Sequence, residues 1–478
     1  MKRSINRTKI VATLGPSSNT KSKINALVNS GVNVFRLNFS HGSKEENLRL
    51  INIIRSINED LEVPVAILAD LQGPKIRIGE VENGAVYLKV GQKITITTED
   101  ILGNGLKIST TYKSLPNDVE KGDIMLIDDG QIGIKVTGRD KVSVSGQVLY
   151  GGLLKSKKGI NLPNTKVSIP SLTEKDRSDL DFCLEHEVDW VALSFVRRAK
   201  DIVDLREIIQ QHGKAVKIVA KIEKPEAVEN IDDILKATDA LMVARGDLGV
   251  EIPMEQVPMV QKMLVRKCNL EGKPVIVATQ MLESMAFNPR PTRAESSDVA
   301  NAIMDGADAV MLSVETAAGQ YPSLAVRSMT KIIASVEKGI DFIFNKNFES
   351  NKNSDSYIFE RVLASACKLA NETGAKVITG ITASGYTAFN IARQRPLAQI
   401  YIFTGNRKLL TQLALLWGVR VIFYEKFEST DDAVNDIQKV LVNRKILKEG
   451  DIYVTTSTIP VASRKRNNSV RINIVEGI

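Results

Sequence analysis

Short apolar, β-branched runs alternate with helix-period segments along the first two thirds of the chain, and polar residues bound each run. The runs are KIVATLG (9–15), VFRLNFS (34–40), VAILADL (65–71), WVALSFV (190–196), KIVAKIE (217–223), ALMVARGDL (240–248), PVIVATQ (274–280) and AVMLSVE (309–315). Strand and helix alternating in this number close a (β/α)8 barrel, which sets the fold class as α/β.

The gap between the third and fourth runs is far longer than a crossover needs. It holds short β patterns and turns, as in ENGAVYLKVGQKITITT and DDGQIGIKVTGRDKVSVSG, with little helical periodicity. An inserted, small all-β domain is expected there. Because it leaves the C-terminal end of a barrel strand, it would overhang the catalytic face as a lid. Beyond the barrel, the polar stretch NKNFESNKNSDS marks a linker, after which KVITGIT, QIYIFT, VRVIFYE and DIYVTTST alternate with helical patterns. The expected division is a barrel of residues 1–71 and 169–345, a lid of 72–168 and a C-terminal α/β domain of 346–478.

Composition narrows the class of protein. The 478 residues exceed what one hydrophobic core organises, and no apolar stretch approaches the roughly 20 residues that span a bilayer. The start, MKRSINRTKIVATLG, lacks the apolar core of a signal peptide, so a cytoplasmic protein without membrane contact is expected. Cys183, Cys268 and Cys367 are far apart with no metal spacing. The net charge of +8 favours anionic partners. Its basic residues are scattered with few aromatics, which argues against nucleic acid and leaves phosphorylated metabolites.

Barrel enzymes draw their chemistry from the C-terminal ends of the strands. Those ends carry Arg36, Asn38 and Ser40; Asp70; Ser194; Lys221 and Glu223; Arg245 and Asp247; Thr279 and Gln280; and Ser313 and Glu315. Glu223 and Asp247 end consecutive strands, so their carboxylates can share one hard cation such as Mg2+, or else pair with Lys221 and Arg245. ARGDLG reads as a glycine-flanked turn whose amides approach an anion. A metal bridging anionic oxygens beside a lysine suits phosphoryl transfer or enolate stabilisation. Of the three histidines, His41 alone follows a strand end near this group. It serves as a substrate contact or as a helix start.

The stretches RTKIVATLGPSS, RLNFSHG, LADLQGPKIR, SKKGINLP, KIEKPEAVENIDDIL, ARGDLGVEIP, VATQMLESM and PTRAESSDVANAIMDGADAVMLSVETAAGQYP resemble the pyruvate kinase family, in family order across residues 7 to 325. The resemblance implies transfer of phosphate from phosphoenolpyruvate to ADP, giving pyruvate and ATP, on a TIM barrel with a lid. It implies that Lys221 stabilises the moving phosphoryl group and the enolate, and that Glu223 and Asp247 hold Mg2+, with Mn2+ as an alternative. Gly246, Asp247 and Thr279 would bind the substrate, with Ser313 and Glu315 beside them. Arg36 and Arg77 would grip phosphate oxygens, Asn38, Phe39, Ser40 and His41 would line the nucleotide side, and Lys158 would reach in from the lid. It also implies a homotetramer and activation by a phosphorylated effector at TASGYT, through Thr382, Ser384, Gly385 and Thr387, with plain helix capping as the alternative.

Many relatives hold potassium among oxygens matching Asn38, Ser40 and Asp70, with a threonine after that aspartate and a glutamate a few residues on. Here Leu71 and Lys75 stand at those two positions, as in the potassium-independent branch, so no potassium requirement is expected. An ammonium at Lys75 can supply the missing positive charge, unless it simply points to solvent. Val314 departs from the usual glycine or alanine, and STIPVASRKRNNSVRINIV lacks the glycine-rich loop of many relatives. A Mg2+-dependent aldolase or lyase acting on a pyruvate enolate is the competing activity on the same barrel.

Overall fold

The parallel pairing of all eight apolar runs closes a barrel, with the first strand bonded to both the second and the eighth. The computed structural model describes residues 6–163, 165–339, 355–425, 430–458 and 467–476. The barrel strands are Lys9–Thr13, Val34–Asn38, Ala66–Asp70, Trp190–Leu193, Lys217–Ile222, Ala240–Ala244, Val275–Ala278 and Ala309–Leu312. Each stops where its sequence run turns polar. The tails of the sixth and eighth runs leave the sheet altogether and form short helices, Arg245–Glu251 and Val314–Ala317. ARGDLG is therefore a helix start rather than an open turn.

Outer helices cover the strands with entry signals of their own. Thr173 with Asp176, and Thr292 with Glu295, form reciprocal capping boxes, and Gly272 at φ +67 ends the helix Val257–Glu271 in a left-handed turn. Inside the barrel, Val11, Leu68, Trp190, Met242, Ile276 and Met311 fill the interior, and this core runs on into Trp417 and Leu413 of the C-terminal domain. One mouth of the barrel is thus plugged. Arg395 strengthens the plug by a bidentate pair with Asp308 at 2.9 and 3.0 Å, and it stacks on Trp417. The other mouth, where the strands end, stays available for chemistry.

The insertion forms a six-stranded sheet and a two-stranded one around its own apolar core. The four C-terminal runs pair in parallel as Val377–Ile381, Gln399–Thr404, Val419–Phe423 and Ile452–Ser457. A fifth strand, Ser469–Ile474, adds antiparallel to the last of them. It was not expected from the sequence, because its serine, arginine and asparagine break the apolar run of a central strand, as suits an edge. Apart from Asp355 and Ser356, the expected linker lies outside the described residues, and so do residues 459–466 of the atypical C-terminal loop. Among the described residues no helix is long and apolar enough to cross a membrane.

Candidate active site

Five strand ends bring one buried charge cluster together at the open mouth. Lys221 Nζ lies 2.9 Å from Glu223 Oε1 and 3.1 Å from Asp70 Oδ1, and donates to Ser194 Oγ at 2.7 Å. Arg36 donates through Nε to Asp70 Oδ2 at 2.6 Å and through Nη1 to Thr13 Oγ1 at 3.0 Å. Burial pulls the Lys221 ammonium down, but Asp70 and Glu223 outweigh it and hold the group above the usual lysine range. Asp70, although buried, is held below the usual carboxylate range by Lys221 and Arg36.

Glu223 behaves differently. Burial, reinforced by the charge of Asp247, raises its pKa, and Lys221 offsets only part of this. Phe195 donates its backbone amide to Glu223 Oε2 at 2.8 Å. Of the two pairings expected in the absence of metal, Lys221 with Glu223 is present and Arg245 with Asp247 is not. Arg245 turns instead to Asp298 at 2.7 Å. Among the described residues the half-buried Asp247 carboxylate makes no hydrogen bond or ion pair.

A buried carboxylate whose proton affinity is raised by burial and by a neighbouring carboxylate fits a hard divalent cation, which takes the place of the proton. No group of three or more metal-binding side chains exists among the described residues, and a pair of carboxylates suits a cation that keeps several ligand places for substrate oxygens and water.

The loop after the seventh strand is built on backbone strain. Thr279 at φ +69 and Gln280 at φ +54 are both left-handed, a conformation that costs a β-branched residue about 1–3 kcal/mol. Arg245 holds it in place: one Nη2 donates to the carbonyl of Thr279 at 2.7 Å and to that of Gln280 at 3.3 Å. In return, Thr279 Oγ1 accepts the Gly246 amide at 2.8 Å. A Cβ on Gly246 would lie 3.4 Å from that hydroxyl, in the space an anion would approach. Glu315 is buried and accepts the amides of Ser313 at 2.6 Å and Leu282 at 3.1 Å, so it braces the loops after the seventh and eighth strands. Among the described residues the buried Ser313 Oγ has no hydrogen-bond partner. Val314 is 36% exposed, which explains how a larger residue fits there.

Partial burial, followed by the charges of Arg77, Lys75, Arg36 and Lys175, lowers the pKa of His41, and these cations together favour a polyanion. Asn38 Oδ1 accepts the Ser40 amide at 3.1 Å. The Phe39 side chain is buried in the barrel core, and its carbonyl accepts Lys175 Nζ at 2.7 Å. Arg77 Nη1 donates to the Lys157 carbonyl at 3.0 Å, within the lid. Lys158 pairs with Asp128 at 2.8 Å rather than with a barrel residue. Lys75 is exposed and makes no side-chain hydrogen bond or ion pair with Asn38, Ser40 or Asp70, while Leu71 is buried.

In the C-terminal domain, TASGYT does join a strand to a helix, Tyr386–Arg393, with Gly385 at φ +89. Thr382 Oγ1 accepts the Gly385 amide at 2.9 Å and Ser384 Oγ the Tyr386 amide at 3.4 Å, which is the capping expected as the alternative. Buried Thr387 donates to Asn467 Oδ1 at 3.1 Å.

Of the supporting residues, Ser194 and Arg245 were named from the sequence as polar strand ends, and Thr13 was not. Ser194 was legible as a polar end to an apolar run, but Thr13 and Arg245 gain their roles only from neighbours distant in sequence.

This is a (β/α)8-barrel enzyme whose open mouth joins a buried lysine, paired carboxylates and a cationic rim under a β lid. Residues 5–326 match the family described as "Pyruvate kinase, barrel domain" and residues 360–473 match "Pyruvate kinase, alpha/beta domain". The chain is 45% identical over 477 residues to pyruvate kinase of Geobacillus stearothermophilus, covering 99% of this chain and 81% of that one. It is 43% identical over 473 residues to pyruvate kinase of Staphylococcus aureus (strain MRSA252), covering 98% and 80%. A crystal structure of a pyruvate kinase from Cryptosporidium parvum superposes with a TM-score of 0.92 at 35% identity, covering 98% of this chain and 96% of that one. The chain belongs to the pyruvate kinase family. Its reaction is phosphoryl transfer between phosphoenolpyruvate and ADP, yielding pyruvate and ATP, with a divalent metal requirement.

Proposed function

We propose that this enzyme works with Mg2+ held by Glu223 and Asp247, needs no potassium, and is activated by a phosphorylated metabolite. The observation that carries the reading is the buried lysine bracketed by Asp70 and Glu223, with the unpaired Asp247 carboxylate beside it. In the reaction the bond between phosphorus and the enol oxygen breaks and one to a β-phosphate oxygen of ADP forms. The electron pair stays on the enolate, which takes a proton at carbon to give pyruvate. Lys221 provides a fixed positive charge for the moving phosphoryl group and the enolate oxygen. Arg36 grips a phosphate oxygen, while Gly246, Asp247 and Thr279 orient the carboxylate end, with Ser313 and Glu315 bracing that side. Mg2+, when bound, neutralises charge on the anionic oxygens. Asn38 through His41, Arg77 and Lys158 take the nucleotide, supported by the cationic surroundings of His41. Pyruvate release that requires both ADP and Mg2+ tests this reading, and release without ADP would favour the enolate lyase.

The lid and C-terminal domain boundaries at 71/72, 168/169 and 345/346 belong to the same proposal, supported by the lid's own apolar core and by a second C-terminal core beside the one shared with the barrel interior. Three buried, unpaired thiols support a cytoplasmic setting. Exposed Met254, Met259 and Phe287 on the barrel, with Ile472 and Ile474 on the edge strand, support a homotetramer.

Potassium independence rests on Leu71 and Lys75, and on the two cations already against Asp70. Initial rates in potassium and tetramethylammonium salts at equal ionic strength should agree within about twofold for the wild type. A Lys75→Glu variant should gain activation by potassium. Strong activation of the wild type would sink the idea.

The effector reading is supported by the helix N-terminus at residues 385–387, although two of its hydroxyls already serve as caps. A panel of sugar monophosphates, sugar bisphosphates and AMP should contain a compound that lowers the KM for phosphoenolpyruvate and raises the melting temperature. If none does either, the loop is structural.

A further inference from the structure

The lid touches the barrel at a point that none of the roles above uses. Asn161, in the lid strand Ile160–Asn161, donates Nδ2 to Glu251 Oε1 at 2.8 Å. The same oxygen takes Lys224 Nζ at 2.7 Å. Both charged side chains are buried, Lys224 to 8% and Glu251 to 1% exposure, and among the described residues the buried Glu251 Oε2 has no hydrogen-bond partner. A carboxylate in that condition has strong demand for donors, because each lone pair left dry is costly. Among the described residues the second donor to Glu251 comes from the lid.

The receivers sit in the active site's own framework. Glu251 is the last residue of the helix that begins at Arg245 and carries Gly246 and Asp247, one turn away. Lys224 directly follows Glu223. On the lid side, the segment that ends in Asn161 carries Lys158, and the Lys157 carbonyl that holds Arg77. Gly159 of the same segment is bridged to Arg77. Between the two halves lies a narrow cavity of about 30 Å³, lined by Lys75, Asp129, Asn161, Lys224, Asp247 and Glu251.

We infer that Asn161 is the latch by which the lid docks on the barrel, that the buried Lys224–Glu251 pair is its receiver, and that this contact sets how Arg77 and Lys158 stand over the metal carboxylates. Asn161 is a positioning residue. With the lid away, Glu251 keeps only Lys224, so the closed state is favoured by one hydrogen bond to a charged group. The proposal rests on the reading that the lid brings Arg77 and Lys158 to ADP, and two separate readouts distinguish the failures.

Full-length wild type, Asn161→Ala and Asn161→Asp should be compared by hydrogen–deuterium exchange mass spectrometry and by steady-state kinetics. Exchange in the lid connections, residues 71–78 and 165–171, should quicken about tenfold in Asn161→Ala, the loss of one charged hydrogen bond. It should quicken further in Asn161→Asp, where a carboxylate of the same size faces Glu251, while barrel-helix exchange stays unchanged. The KM for ADP should rise about as much, with the KM for phosphoenolpyruvate little altered. Wild-type exchange in Asn161→Ala, or equal behaviour of Asn161→Asp and wild type, overturns the latch. Faster exchange with an unchanged KM for ADP supports the latch and overturns the role of the lid at the nucleotide instead.

Discussion

Turnover of Lys221→Met should fall by on the order of 10³ to 10⁵, with the fold intact and the KM for phosphoenolpyruvate changed far less. The ammonium is fixed before substrate arrives by Ser194, Asp70 and Glu223, so its charge is aimed at the reacting oxygens without reorganisation. Methionine matches its length and none of its charge. Breaking a buried pair by removing one partner costs about 3–5 kcal/mol in general. The loss here should fall at the lower end, since Arg36 still neutralises Asp70 and Glu223 is already inclined to take up a proton. Circular dichroism and a melting curve would show the fold. A variant with near-normal turnover would remove Lys221 from the chemistry.

Glu223→Gln should raise the Mg2+ concentration needed for half-maximal activity by about 100-fold, roughly 2.7 kcal/mol of lost carboxylate–cation interaction. The amide keeps the size and can still accept the Phe195 amide, so the effect isolates charge. The pH dependence follows from the same group. Its folded pKa is raised, so a proton competes with the metal as pH falls through that raised value, and apparent Mg2+ affinity should weaken there. In Glu223→Gln that acid limb should flatten. Asp70 has the opposite sign: its pKa is depressed, so its contribution to stability is present above the unfolded carboxylate value and is lost only as pH falls through the lower folded one. Titration of activity against Mg2+ at several pH values checks the Glu223 prediction and acid unfolding followed by circular dichroism checks the Asp70 one, and an unchanged Mg2+ requirement in the variant would contradict the assignment.

How far the sequence could be read depends on the range of each interaction. Barrel strands were legible because parallel strands covered on both faces read as continuous apolar runs, and because polar residues such as Lys221 and Asp70 interrupt them at one end. What alternation along one strand cannot show is the partner on another. Arg245 was an apparent candidate for Asp247, two residues away, yet its fork reaches Asp298 and the strained carbonyls of Thr279 and Gln280. Positive φ at Thr279 was also hidden, since a threonine gives no local signal for a left-handed turn that its surroundings impose. The edge strand Ser469–Ile474 went unseen for a different reason: none of its residues is fully buried, so its polar residues mimic a loop. Asn161 and Glu251 lie 90 residues apart, and their contact exists only once the lid has folded back.

Under the proposed function, a lysine and paired carboxylates move a phosphoryl group onto ADP instead of cleaving or joining carbon at an enolate. A continuous assay of pyruvate release from phosphoenolpyruvate, with ATP quantified in the same samples, tests this most directly. Pyruvate and ATP should appear in equal amounts, only when ADP and a divalent cation are both present, and Lys221→Met should abolish both together. Pyruvate released without ADP, or without matching ATP, would contradict it.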